Sequence, residues 1–408
     1  EEPACEAVPT AFPTFSLRLA YSSPNRTSTG NGLSSIGDVD NDGIPDIITT
    51  NRDDNTVTVL NSVDASIKFQ RNIGVSPYYE VMHADVDRDG FAEIFVPTRS
   101  RSIVALSHDL STVLWTGNTV YNPGNIGVAD FNGDGFPEVY ARDEIFDAVT
   151  GNKLRNSDFT NVPGDANFLE KHIANSGVAV DILADGECAD CDGLELVVGG
   201  RIYSVNINRA TFTATMTLEK SIDYFPIYIP PWRQNRTGTS VADYNLDGFL
   251  DVLTTGREAA DPIGFTRLYF WDVQNDNYVT YIDPTYNWDK GTGRINIADV
   301  DGDGQLNATY VTGRYLYCLD ENWQQLWRTG IIEQSSGTTG TTVFDFNGDG
   351  QFETVYRDEQ FLYIVNGNDG SFYTSVACAS LTYTEYPIVA DVDADGATEI
   401  CVSCMTNN

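Results

Sequence analysis

The chain has 408 residues, with 24 Lys and Arg against 59 Asp and Glu, a formal charge of −35. Such acidity argues against nucleic acid or an anionic membrane surface as partner. No run of 18 apolar residues occurs, so direct membrane insertion of a helix is not expected.

The start at Glu1-Glu2-Pro3, without a charged-then-apolar leader, is expected of a mature or excised segment. Residues 1–37 hold one strand-like run, Phe15 to Tyr21, and then a polar loop. Next comes Asp38-Val39-Asp40-Asn41-Asp42-Gly43-Ile44-Pro45-Asp46, with acids at positions 1, 3, 5 and 9 and glycine at position 6. That is the ligand spacing of the first half of an EF-hand loop, which suits a hard cation seeking six to eight oxygens. The β-branched residues that follow, Ile47 to Thr50, predict a strand where an EF-hand would have a helix.

The loop recurs at Asp85, Asp130, Asp181, Asp243, Asp299, Asp345 and Asp391. A period of about 45 to 60 residues filled with short strands predicts a β-propeller. Each unit reads as a short strand ending at the first Asp, the acidic loop, an apolar strand such as Ile94-Phe95-Val96, an aromatic strand such as Phe361-Leu362-Tyr363-Ile364, a tight Asn/Gly turn and a fourth strand. The eighth unit stops after Glu399-Ile400-Cys401-Val402, short of its third and fourth strands. The expected architecture is therefore all-β: a single propeller over residues 1–408, eight-bladed with seven blades as the alternative. The run at 15–21 would complete the last blade and remove its open edge.

The candidate metal ligands follow from the register. Asp38, Asp40, Asp42 and Asp46 form the first set, Asp85, Asp87, Asp89 and Glu93 the second, and Asp130, Asn132, Asp134 and Glu138 the third. Asp243, Asn245, Asp247 and Asp251 form the fifth; Asp299, Asp301, Asp303 and Asn307 the sixth; Asp345, Asn347, Asp349 and Glu353 the seventh; and Asp391, Asp393, Asp395 and Glu399 the eighth. Asn132, Asn245 and Asn347 offer a neutral oxygen, so weaker binding is expected there. Asn307 is expected to ligate through its carbonyl, which would keep a glycan off that sequon; Asn25 and Asn235 begin the other two sequons. The fourth set, Asp181, Asp190, Asp192 and Glu195, is split by an insertion holding Cys188, so an altered site or none is expected. Calcium fits this oxygen chemistry, several ions per chain. With no His or converging base beside the loops, its expected role is structural.

Seven cysteines are too few for a disulfide scaffold, yet their placing suggests an oxidising compartment. A local bridge between Cys188 and Cys191 is expected, and Cys5 and Cys378 are expected to pair with Cys401 and Cys404 in either order. Cys318, in an apolar strand, reads as a buried thiol. A four-thiolate zinc site from Cys188, Cys191, Cys401 and Cys404 is not expected, since repeats four and eight lie on opposite sides of a ring. His83, His108 and His172 belong to no nucleophile or zinc constellation and read as strand or surface residues.

The turns on the face away from the acidic loops carry Arg52, Arg142, Arg201, Arg257, Arg314 and Arg357, and the loops leading into each blade carry Tyr79, Trp232, Trp288 and Tyr386. Guanidinium groups beside aromatic rings would suit carboxylate-bearing sugars or an acidic peptide. The alternative is that each Arg pairs with a nearby acid and holds its turn. The long stretches 156–176 and 222–240 are expected to be the specificity elements.

With eight such loops in register, the chain resembles the FG-GAP/VCBS class of calcium-loop propellers and is similar to those of integrin α-subunits. Neither Phe-Gly nor Gly-Ala-Pro occurs, so the VCBS form is nearer. The segments Tyr356-Arg357-Asp358-Glu359-Gln360-Phe361-Leu362-Tyr363-Ile364 and Glu385-Tyr386-Pro387-Ile388-Val389-Ala390-Asp391 also resemble propeller regions of large bacterial surface proteins exported by the type IX secretion system. That second resemblance implies a secreted or surface-attached module within a longer polypeptide. The function expected is non-catalytic recognition or adhesion toward a glycan or an extracellular protein. A polysaccharide lyase, or a spacer in a surface filament, is the alternative.

Overall fold

A computed structural model describes residues 16–23, 34–51, 53–76, 79–120, 123–156, 177–222, 238–257, 266–281, 292–333, 339–382 and 385–405. Among them every regular element is a strand, and no helix is long and apolar enough to cross a membrane. Blade 1 takes Ser35–Gly37, Asp46–Asn51, Thr56–Asn61 and Ile67–Asn72, each antiparallel to the next. Six more four-stranded sheets repeat it over residues 82–118, 126–155, 178–221, 239–281, 296–330 and 342–377, giving blades 2 to 7 of a β-propeller. The first strands contact one another in succession and so line the ring. The middle strands, such as Glu93–Thr98 and Ser102–Leu106, are buried throughout. Both their faces abut neighbouring blades, which is why they read as unbroken apolar runs. Fourth strands such as Val113–Asn118 expose alternate residues at the rim.

The propeller has seven complete blades, the alternative count rather than the favoured eight. The eighth repeat forms a two-stranded sheet, Ile388–Ala390 with Glu399–Cys401, and residues 16–21 form no strand beside it. In a strand Leu17, Leu19 and Tyr21 would share one face. Instead Leu17 packs against the cluster around Val355, Leu362, Val389 and Ile400, while Leu19 is 79% exposed. The segment touches the last repeat through side chains, and the Tyr21 hydroxyl donates to Asp393 Oδ2 at 3.0 Å.

Blades are stapled to one another by aromatic donors. Trp115 Nε1 of blade 2 donates to the Ala148 carbonyl of blade 3 at 2.8 Å. Trp327 of blade 6 reaches Gly367 of blade 7 at 2.5 Å, and the Tyr244 hydroxyl of blade 5 reaches Asp320 of blade 6 at 2.9 Å. Gly151 and Gly370, both at φ 70°, lie so close beneath the two tryptophan rings that a Cβ would collide with them.

Disulfides join Cys188 to Cys191 and Cys378 to Cys404. Cys318 is a buried free thiol, and Cys401 is unbridged among the described residues. Cys5 lies outside them, so the expected pairing of Cys401 is not found there. His83 sits in the first strand of blade 2, its Nδ1 at 2.9 Å from Ser35 Oγ, with burial lowering its pKa. His108 stacks on Phe91. Both are strand or rim residues as expected; His172 lies outside the described residues.

Candidate metal centres and the opposite face

Seven loops share one backbone solution, the fourth being the exception. The first Asp uses one oxygen to accept the N–H of position 5 and the other to accept the N–H of the glycine at position 6. In loop 2 these are Asp89 N to Asp85 Oδ1 at 3.1 Å and Gly90 N to Asp85 Oδ2 at 3.0 Å, and the same bonds occur from Asp38, Asp130, Asp243, Asp299, Asp345 and Asp391. The glycines at position 6 hold φ between 85° and 94°, where an L side chain is strained. Position 4 is also left-handed, even where it is Arg88, Leu246 or Ala394. The repeated glycine is therefore a requirement of the turn, as the sequence spacing implied.

The last acid closes the loop. One of its oxygens accepts the N–H of position 2: Val86 to Glu93 at 3.0 Å, Tyr244 to Asp251 at 3.0 Å, Phe346 to Glu353 at 3.0 Å and Val392 to Glu399 at 3.1 Å, with the same bond at Asp46 and Glu138. Burial, followed by the neighbouring loop carboxylates, pushes Glu93 up to about 6, and Asp251 and Glu353 up to about 7. Glu138 also rises to about 7, against the pull of Arg209. Asp46, Glu195 and Glu399 are raised by burial too. Clustered, half-buried carboxylates of this kind resist ionisation until a cation joins them.

Carboxylate oxygens converge within 4.8 Å in Asp38, Asp40 and Asp42; in Asp85, Asp87 and Glu93; in Asp299, Asp301 and Asp303; and in Asp391, Asp393 and Glu399. Buried and without a hydrogen-bond partner is the same atom of position 3 in three loops: Asp40 Oδ1, Asp301 Oδ1 and Asp393 Oδ1. An unsatisfied carboxylate oxygen inside a ring of others is what a hard cation ligand looks like without its ion. In loops 2, 6 and 8 the residues present fit calcium.

The loops are not equivalent. In loop 1, Lys68 Nζ lies 2.9 Å from Asp40, 3.0 Å from Asp42 and 2.8 Å from Asp46. In loop 3, Arg209 from blade 4 pairs with Asp134 at 2.9 Å, with Glu138 at 2.8 Å and with Asp147. Loop 4 departs from the common geometry. Gly193 does not take a positive φ, and a Cβ on it would meet the Phe131 carbonyl at 2.2 Å. Glu195 still accepts the N–H groups of Ile182 and Leu183, but Asp192 accepts Gly186 N–H and Asp190 accepts Asn206 Nδ2. Asn307 takes the place of the closing acid in loop 6. Its carbonyl oxygen accepts Val300 N–H at 2.7 Å, and its buried Nδ2 has no partner. Full burial keeps this side chain from solvent.

On the other face the described arginines differ in exposure, and some are held within the fold. Arg357 is buried in its strand, bonded to the Ser403 carbonyl and 3.3 Å from Glu385. Arg201 is buried as well, Arg142 is half-buried at a left-handed turn, and Arg314 is exposed. Arg257 ends the strand Asp251–Arg257. Arg52, Trp232 and Trp288 lie outside the described residues. At Arg357 the cover comes from the last repeat, whose Glu385 and Ser403 close over the end of the strand. Sequence reasoning named Tyr79 and Tyr386 but missed Arg294 and Glu80 beside them, ahead of the first strands. Arg294, just before Asn296–Ala298, pairs with Glu80 and lies 4.6 Å over the Tyr386 ring. Tyr79, half-buried, precedes Glu80. Arg294 is 37% exposed, and burial pushes the Tyr386 hydroxyl up to about 12. A lone Arg ahead of a short strand gives no signal in one sequence; only ring closure brings residues 80, 294 and 386 together.

Residues 38–96 match the FG-GAP-like repeat. No curated protein matches the chain. Among solved structures, the V. cholerae biofilm matrix protein Bap1 is similar at a TM-score of 0.63 and 15% identity, over 94% of this chain and 87% of that one. The computationally designed Ika8 protein matches at 0.48 and 10% identity, over 94% of this chain and 99% of that one. BamB from Moraxella catarrhalis matches at 0.43 and 13%, over 82% and 80%. At such identities the likeness to Bap1 concerns the propeller fold alone, and the two lower scores add nothing to it.

Proposed function

We propose that the chain is a non-catalytic, extracellular recognition or adhesion module whose blades are held by calcium and whose binding face lies opposite the metal loops. The observation that carries this reading is the contrast between the faces. The acidic loops converge on buried, unsatisfied oxygens. The opposite face sets a partly exposed guanidinium, Arg294, on an aromatic ring, with Arg314 exposed in a neighbouring turn. That pairing favours a ligand with carboxylate groups on a flat polar frame, either an acidic glycan or an acidic segment of a surface protein. The likeness in fold to a biofilm matrix protein supports an adhesive role, and two disulfides support an oxidising, extracellular location. On this reading residues 1–408 act as one propeller within a longer surface polypeptide.

Calcium, when bound, would neutralise the loop carboxylates and fix the hairpin from the first to the second strand. Asp85, Asp87 and Glu93, Asp299, Asp301 and Asp303, and Asp391, Asp393 and Glu399 would hold it, with the sets led by Asp243 and Asp345 as further sites. A glycan array probed with the native chain and with Arg314→Ala tests the reading. Capture of carboxylate-bearing glycans by the native chain, lost in the variant at unchanged melting temperature, is expected. Equal capture by both would refute a role for this face.

A further inference from the structure

Five of the blades place a β-bulge at the same point. Where the fourth strand begins, one residue is skipped by the pairing: Lys68 in blade 1, Leu114 in blade 2, Leu154 in blade 3, Leu326 in blade 6 and Tyr373 in blade 7. A bulge re-aims its side chain out of the regular alternation, and in blade 1 it carries Lys68 to the acidic loop of the same blade. In blade 7 the position is the exposed Tyr373. In blades 2 and 6 the position is a leucine that leaves the loop carboxylates to themselves. Blade 1 alone among these five has a cation there, and Lys68 Nζ forms ion pairs with three carboxylates at 2.8–3.0 Å. Loop 3 reaches the same end by another route. Its own bulge residue, Leu154, is buried. Blade 4, however, has an extended outer hairpin, Arg201–Asn208 and Thr213–Ser221, that leans on the outer strand of blade 3. Arg209 in that turn pairs with Asp134, Glu138 and Asp147 and lies 5.0 Å from the Phe136 ring.

We propose that loops 1 and 3 take no calcium because the protein supplies its own cation to each, Lys68 in the first and Arg209 in the third, so that bound calcium is confined to the other loops. The proposal rests on the calcium reading above for those other loops. It overturns what the sequence suggests, since loop 1 carries the full set of four acids and lies within the stretch that matches the repeat family. A tethered ammonium neutralises part of the same charge without depending on the ion concentration. It leaves blade 1 fixed when the other loops are stripped.

Native mass spectrometry of the full chain, stripped with EDTA and titrated with calcium chloride, tests both layers. Lys68→Met and Arg209→Met are each expected to bind one more calcium than the native chain. Asp85→Asn is expected to bind one fewer, and Asp38→Asn to bind the native number. The Asp38→Asn arm does not depend on the lysine variant folding, and circular dichroism checks all four. If Lys68→Met and Arg209→Met gain nothing, or Asp38→Asn loses one ion, the proposal is overturned while a loss in Asp85→Asn leaves the calcium reading standing. If the native chain binds none but Lys68→Met binds one, the tethered cation stands and calcium elsewhere fails. No binding by any of them overturns both.

Discussion

At the scale of the residue, the loops are governed by two local facts: a glycine held at φ near 90° and a carboxylate kept from water. Replacing Gly90, at φ 94°, by Ala forces a side chain into a region that costs roughly 1–2 kcal/mol. Gly90→Ala is expected to lower the unfolding free energy by about that amount and to weaken one ion site, measurable as a smaller calcium-induced rise in melting temperature. The closing acids supply a pH signature. Asp251 and Glu353 have folded pKa values raised by burial to about 7, above about 4 in the unfolded chain. A raised carboxyl means that the stripped folded state binds more protons than the unfolded one between those values, so its stability falls as pH rises through the window. Calcium requires the ionised form and reverses the sign. Urea unfolding at about pH 5 and about pH 7.5 is expected to show the EDTA-treated protein less stable at the higher pH, and the calcium-loaded protein more stable there. A flat profile in EDTA would show that these acids are not desolvated. Most of this was legible beforehand, because position 6 and the acids at 1, 3, 5 and 9 are fixed by local sequence. What was not legible is which carboxylates already have a cation. Lys68 and Arg209 lie outside the motif, and only the bulge and the neighbouring hairpin carry them in.

At the scale of the element, blades are joined by a donor from one outer strand to a turn of the next. Trp115 and Trp327 each lose that hydrogen bond as Phe, which typically costs about 1 kcal/mol, plus the cost of leaving a buried carbonyl unpaired. Trp327→Phe is therefore expected to reduce stability by about 1–3 kcal/mol in chemical denaturation. Trp271→Phe in blade 5, whose Nε1 makes a long contact of 3.4 Å to Asp276, is expected to lose less. Arg357 behaves as a strut. Buried against Glu385, it is expected to cost about 3–5 kcal/mol when cut to Ala, because an uncompensated charge is left behind. Exposed Arg314 as Ala is expected to cost under about 0.5 kcal/mol. Strand order within each blade followed from hydrophobic pattern and turn residues. The segment 16–21 did not, since its alternation reads as a strand while Leu19 at 79% exposure is inconsistent with one. Contact with the last repeat, not pattern, decides that conformation.

At the scale of the whole molecule, one face carries the acidic loops and the other carries a cluster made by ring closure. Arg294, Glu80 and Tyr386 come from blade 6, from the approach to blade 2 and from the last repeat. Their meeting depends on every blade between them, which explains why no local motif announces it. On the proposed reading, loop ions and binding face would be coupled only through the integrity of the ring. Calcium is proposed to hold the first hairpin of each blade that binds it. Thermal unfolding of the native chain in EDTA, in saturating calcium and in calcium restored after EDTA tests it most directly. An ion that binds only the folded state at about 100 times its Kd adds about 2.7 kcal/mol per site, so a rise of many degrees, fully recovered on adding calcium back, is expected. Identical melting temperatures in all three conditions would contradict the account.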